Sequence, residues 1–128
     1  MNRLIETAAA WQDAVNRNDA ARLMALSAAN IEIVGPKGSA FGRGVLVQWL
    51  LRAGLQLTPK RYFALDDTLV VLQQAVWHDP ETKQPVTSAE VASVFGISDN
   101  TVCHYARHDT LDEAFASSGV GLQHEITT

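Results

Sequence analysis

At 128 residues, with 47% hydrophobic and 19% charged side chains, the chain is long enough for one domain with a real core and too short for two. That balance excludes a disordered or fibrous chain. The net charge of −4, with no basic cluster longer than Lys60–Arg61, is a poor footprint for a phosphate-backbone binder and disfavours nucleic acid as a partner.

Cys103 is the only cysteine, so no internal disulfide can form, which fits a reducing compartment. Glu6 and Asp13 interrupt the N-terminal segment where a signal peptide would need an apolar core. No stretch approaches the length of a membrane span. A soluble, cytoplasmic protein is expected.

In chain order, Leu4, Ile5, Ala8, Trp11, Ala14 and Val15 recur at helical spacing, with Glu6, Gln12 and Asp13 elsewhere on the wheel. Asp19 can cap a second helix, AARLMALSA. IEIVGP alternates like a short strand that stops at Gly35-Pro36, and KGSAFGRG reads as a glycine-rich loop. VLVQWLLRAG is a helix ending on glycine. RYFALDDTLVVLQQAVWH is dense in β-formers, and DPETKQP is turn material. TLDEAFASSG closes the chain as a short helix capped by Thr110, and residues 120–128 read as a tail behind a single domain at 1–119.

The stretch SAEVASVFGISDNTVCHYARH admits two readings. Thr87 and Glu90 form a capping box, and Gly96 sits where a helix-turn-helix places its turn, which would make the chain a DNA-binding regulator through residues 87–108. Equally, Ser98-Asp99-Asn100 can turn a hairpin between two strands. The local pattern does not separate them. The order of elements does, because helices followed by long β-rich segments form an α+β layout in which helices cover one face of a sheet.

In that order, WQDAVNRNDAARLMAL, ANIEIVGPKG, GRGVLVQWL and VASVFGISDNTVCHYARHD resemble successive segments of the nuclear transport factor 2-like superfamily over roughly residues 3–119. That superfamily includes the SnoaL-like proteins and the ketosteroid isomerases. The resemblance implies an α+β cone: a curved antiparallel sheet covered by the N-terminal helices, of the cystatin-like roll type. It further implies a ligand pocket on the helix-covered face and a homodimer. The positions matching the steroid isomerase's tyrosine, aspartate base and acidic strand residue are Trp11, Gly35 and Ser93, none suited to that reaction. Of the Asp–Arg–Asp trio of epoxide hydrolases on this fold, only Asp109 matches; Ser93 and Val91 replace the others.

Strand alternation puts Val91, Ser93, Phe95 and Ile97 on one face, and Cys103, Tyr105, Arg107 and Asp109 on one face of the next strand. By the resemblance these face the pocket, with His104, Ala106 and His108 on the outside. Arg107 and Asp109 read either as a ligand anchor and acid–base pair, with Tyr105 as a hydrogen-bond donor, or as a structural ion pair. Trp11, Phe41, Trp49, Trp77, Ser93 and Phe95 are the expected ligand-contacting residues. His104 and His108 lack a third ligand for a metal, Cys103 reads as a small core residue, and no cofactor is expected. The functional expectation is a SnoaL-like protein that binds a small hydrophobic molecule, as a lyase, isomerase or hydrolase or as a non-catalytic carrier or interaction module.

Overall fold

A computed structural model describes residues 2–35 and 38–126, at backbone level only for 51–53. The first periodic segment forms helix α1 (Arg3–Asn16), whose first turn is capped by the Asn2 side chain accepting from the Leu4 N–H at 2.7 Å. Asn18, at φ +55°, reverses the chain, and the Asp19 carboxylate caps α2 (Ala20–Ala25) through the Arg22 N–H. This second helix ends earlier than its sequence pattern suggests. The Leu26 carbonyl accepts from the Val102 N–H at 2.8 Å, which draws Ser27 onward into a strand.

Strands β1 (Ser27–Gly35), β2 (Gly38–Phe41), β3 (Leu55–Leu65), β4 (Thr68–His78), β5 (Pro85–Ser98), β6 (Thr101–His108) and β7 (Glu125–Ile126) form one sheet in the order β2-β1-β6-β5-β4-β3-β7. Among the described strands only β1 and β6 run parallel. The sheet is curved and unclosed, with α1, α2 and α3 (Arg43–Ala53) toward one face and α4 (Leu111–Ser118) on the other. Part of the expected glycine-rich rim is thus β2, an edge strand paired in register with β1; Pro36 and Lys37 lie outside the described residues.

The ambiguous stretch is a hairpin. Ser98 pairs with Thr101, and both turn residues, Asp99 and Asn100, have positive φ (51° and 62°), as a two-residue turn matching strand twist requires. The helix-turn-helix alternative fails because residues 85–98 are extended and paired along β4 and β6.

One feature of the hairpin departs from simple alternation. Gly96 pairs with His104 and Ile97 with Val102, so Cys103 is an extra residue, a β-bulge. The bulge shifts the parity of β6. Val102 joins Tyr105 in the core under the helices, and Cys103, expected on that face, sits half-buried near Gly96 instead.

The helix-covered core gathers α1, Leu23, Ile31, Leu46 and Leu50 onto Leu69, Val71, Phe95, Ile97 and Tyr105 of the sheet. A smaller cluster on the outer face packs Phe63, Val94 and Ala106 beneath Ala114 and Phe115 of α4. Ala106 is therefore covered by α4 of the same chain, and His108 contacts Ser117 on that helix at 3.1 Å.

Residues 120–126, within the segment expected as a tail, contact the rest of the domain. Val120 is buried, and β7 pairs with β3 while both carboxylate oxygens of Glu125 accept from Arg61, at 2.8 and 2.7 Å. That pairing lowers the Glu125 carboxyl below its usual range and raises the Arg61 guanidinium.

Gly54 ends α3 in the left-handed region at φ +54°, and a Cβ there would meet the His78 carbonyl oxygen at 2.3 Å. Two bonds hold this junction: the His78 backbone N–H and its ring Nδ1 both lie on the Gly54 carbonyl, at 2.8 and 3.0 Å. Gly54→Ala is expected to cost more than about 1 kcal/mol in urea denaturation, from the left-handed strain and the clash together.

Candidate functional site

The interior beneath the helices is filled by aromatic rings. Trp11 from α1 lies 4.6 Å from Tyr105, 5.4 Å from Phe95 and 6.1 Å from Trp49 of α3, centroid to centroid. Phe95 and Tyr105 are 5.1 Å apart, as neighbours directly opposite on β5 and β6. Trp11 and Phe95 are wholly buried in this cluster.

A chain of buried polar groups runs through the same core. Gln12 Nε2 donates to Gln73 Oε1, and Gln73 Nε2 donates to Ser93 Oγ, which lies 3.0 Å from the Tyr105 hydroxyl. Either hydroxyl can donate in the Ser93–Tyr105 bond; when Ser93, which already accepts from Gln73, is the donor, the phenol's own O–H is free for another acceptor. Burial pushes the Tyr105 phenol above its ordinary value, against smaller opposing effects of Ser93 and Arg107, so it stays protonated at neutral pH. Gln12 Oε1 is buried and has no hydrogen-bond partner among the described residues. Trp11 Nε1 donates separately to Ser27 Oγ at 3.0 Å, and Ser27 in turn donates to the Leu23 carbonyl.

Tyr105 also borders a cavity of about 490 Å³. Its apolar wall is Ile33, Val34 and Gly35 at the end of β1 together with Trp49, and its polar wall is Tyr105, Arg107 and His108 of β6. Asp109 and Glu113 are exposed at its rim. Arg107 is half-buried, with its guanidinium carbon 5.1 Å from the centre of the Trp77 ring. No ion pair joins Arg107 to Asp109: β6 ends at His108, and the guanidinium lies over the indole.

The structure thus brings Tyr105, Arg107, Asp109 and Trp49 together around one cavity, with Trp77 behind Arg107. It places Ser93 one hydrogen bond behind Tyr105, and leaves Phe41 63% exposed on the edge strand. Among the described residues, no group of three His, Cys, Asp or Glu side chains is placed to hold a metal ion. His104 is instead bonded to Glu32 at 2.9 Å, and Ser39 donates to the other oxygen of that carboxylate.

A second opening of about 450 Å³ lies where the end of α1 meets β3 and β4. Much of its polar wall is committed within the chain, since Asn16 bonds both the N–H and the carbonyl of Leu57, Gln56 donates to the Asn16 carbonyl and His78 bonds Gly54, while Lys83 and Asn18 stand on exposed surface at its edge. The cavity at Tyr105 and Arg107 is the better candidate site.

Sequence reasoning missed Gln12 and Gln73. The signal was available for Gln73, which falls on the β4 face shared by Leu69, Val71 and Ala75, where a buried amide needs a partner.

An open, curved sheet of this order, with N-terminal helices on one face and an aromatic-walled cavity, is the nuclear transport factor 2-like cone fold. Solved structures of that fold superpose on nearly the whole chain. A nuclear transport factor 2-like protein of unknown function from Cytophaga hutchinsonii is 8% identical, with a TM-score of 0.71 over 88% of this chain and 94% of that one. A provisionally assigned SnoaL-like polyketide cyclase from Shewanella putrefaciens is 12% identical, with a TM-score of 0.72 over 92% and 88%. TerC, crystallised with polyporic acid, is 15% identical, with a TM-score of 0.73 over 91% and 97%. No family model matches the chain, and no curated protein matches it in sequence. At these identities the likeness establishes the fold. No described helix is long and apolar enough to cross a membrane.

Proposed function

We propose that the chain binds a small, largely apolar molecule in the cavity between Trp49 and Tyr105. The observation that carries this reading is the cavity itself: an apolar wall faces a protonated phenol and a half-buried guanidinium, the few fixed polar groups such a site needs for orientation. Crystallisation of a neighbour of this fold with polyporic acid supports the same use of the cone.

A second reading, an enzyme in which Arg107 and Tyr105 polarise the ligand and Asp109 exchanges a proton, rests on all three bordering that cavity. The binding reading is favoured. The buried polar groups linked to Tyr105 are glutamine and serine, whereas the carboxylates, which could act as bases, stand at the exposed rim.

Titration of the ¹⁵N-labelled protein with the neutral probe 2-naphthamide tests it. Shifts are expected at the Trp49 indole N–H and the amides of residues 33–35 and 105–109. No saturable shift at these positions would remove the binding reading.

A further inference from the structure

We propose that the ligand of this cavity is an anion, a small aromatic or alicyclic carboxylate or enolate, whose charged oxygens are held by Arg107. This rests on the binding reading above and specifies the class of molecule bound.

Arg107 carries five N–H donors, yet among the described residues the guanidinium has no carboxylate or carbonyl acceptor; it lies over the face of Trp77, 5.1 Å from the ring centre. The other arginines in hydrogen bonds or ion pairs here spend their donors on protein oxygens. Arg61 grips Glu125, Arg17 and Arg22 grip Asp13, and Arg43 donates twice to the Ser27 carbonyl. A half-buried guanidinium has given up part of its hydration, and a cation–π contact with an indole stabilises the charge without consuming its hydrogen-bond donors. Those donors form a planar fork that matches two oxygens of a carboxylate.

Two neighbours support the assignment. Tyr105, two residues along the same face, borders the cavity as a protonated phenol, and with Ser93 as the donor in their shared bond its O–H can go to the same anion. Trp49 and Ile33 provide the apolar wall for the body of the ligand. Asp109 and Glu113, which would oppose an anion, are exposed at the rim, where water screens them; Glu113 also accepts from the Thr110 hydroxyl at 3.2 Å.

The test compares 2-naphthoate with its neutral isostere 2-naphthamide at pH 7, by calorimetry and by the Trp77 indole N–H shift. The naphthoate is expected to bind about tenfold tighter or more, and to move the Trp77 signal where the amide does not. In Arg107→Gln the two probes should bind equally, at about the affinity of the amide for the unaltered protein, which also shows that the variant retains its cavity. Equal affinity of the two probes for the unaltered protein, with the amide bound at the Trp49 site, would overturn the anion assignment and leave the binding reading standing. If neither probe binds, both fail. Preference retained in Arg107→Gln would place the anion elsewhere and overturn the role of Arg107.

Discussion

Trp11→Ala is expected to destabilise the protein by about 3–5 kcal/mol in urea denaturation, the range for removing a large ring from a core. Trp11 has no exposed surface and touches three other aromatic rings, so its loss removes both apolar burial and ring–ring contacts. Little can collapse into the gap. Tyr105 and Phe95 are fixed on paired strands, and Trp49 is on a separate helix. Trp11→Phe separates the two contributions. It keeps most of the ring volume and removes the Nε1–H donated to Ser27, whose hydroxyl still has the Leu23 carbonyl to bond. Its expected cost is about 1–3 kcal/mol. A loss below about 1 kcal/mol in Trp11→Ala would show that α1 is not clamped to the sheet through this ring.

That clamp bears on how much of the molecule was legible in the sequence. The helices and the long strands announce themselves through local chemistry: Asp19 and Thr110 cap, Gly54 terminates, and Asp99-Asn100 turns. The misread segments are those whose conformation is decided by a partner far away in the chain. Gly38–Phe41 is a strand because β1 offers an edge, Glu125–Ile126 because β3 does, and Ser27 because Val102 binds the preceding carbonyl. The bulge at Cys103 is of the same kind. Alternation counted along the sequence cannot see an extra residue, yet one such residue exchanges Cys103 for Val102 in the core.

The site was legible in part for a related reason. Tyr105, Arg107 and Asp109 follow the bulge in unbroken alternation, so their grouping around one cavity survives it. Their relation to one another was not visible. A sequence shows Arg and Asp two residues apart and suggests a pair, but the guanidinium turned to the indole of Trp77, a residue thirty positions upstream. Gln12 was hidden among the polar positions of its helix, although its side chain is only 2% exposed.

Gln12 and Gln73 yield the second large effect. Gln73→Met keeps an unbranched side chain of similar shape but removes both the acceptor for Gln12 and the donor to Ser93. The amide oxygen of Gln12 already lacks a partner among the described residues, so the change would leave neither end of the amide bonded in the core. Each orphaned group costs about 1–3 kcal/mol, because desolvation is no longer offset by a bond. Adding Gln12→Met to Gln73→Met should then restore stability rather than lower it further, since no buried amide remains to be satisfied. Urea denaturation of the two single variants and the double variant measures this directly. A double variant less stable than Gln73→Met would mean that the two amides act independently. Recovery would show that the buried amide pair beneath Tyr105 carries a cost to stability that two methionines avoid.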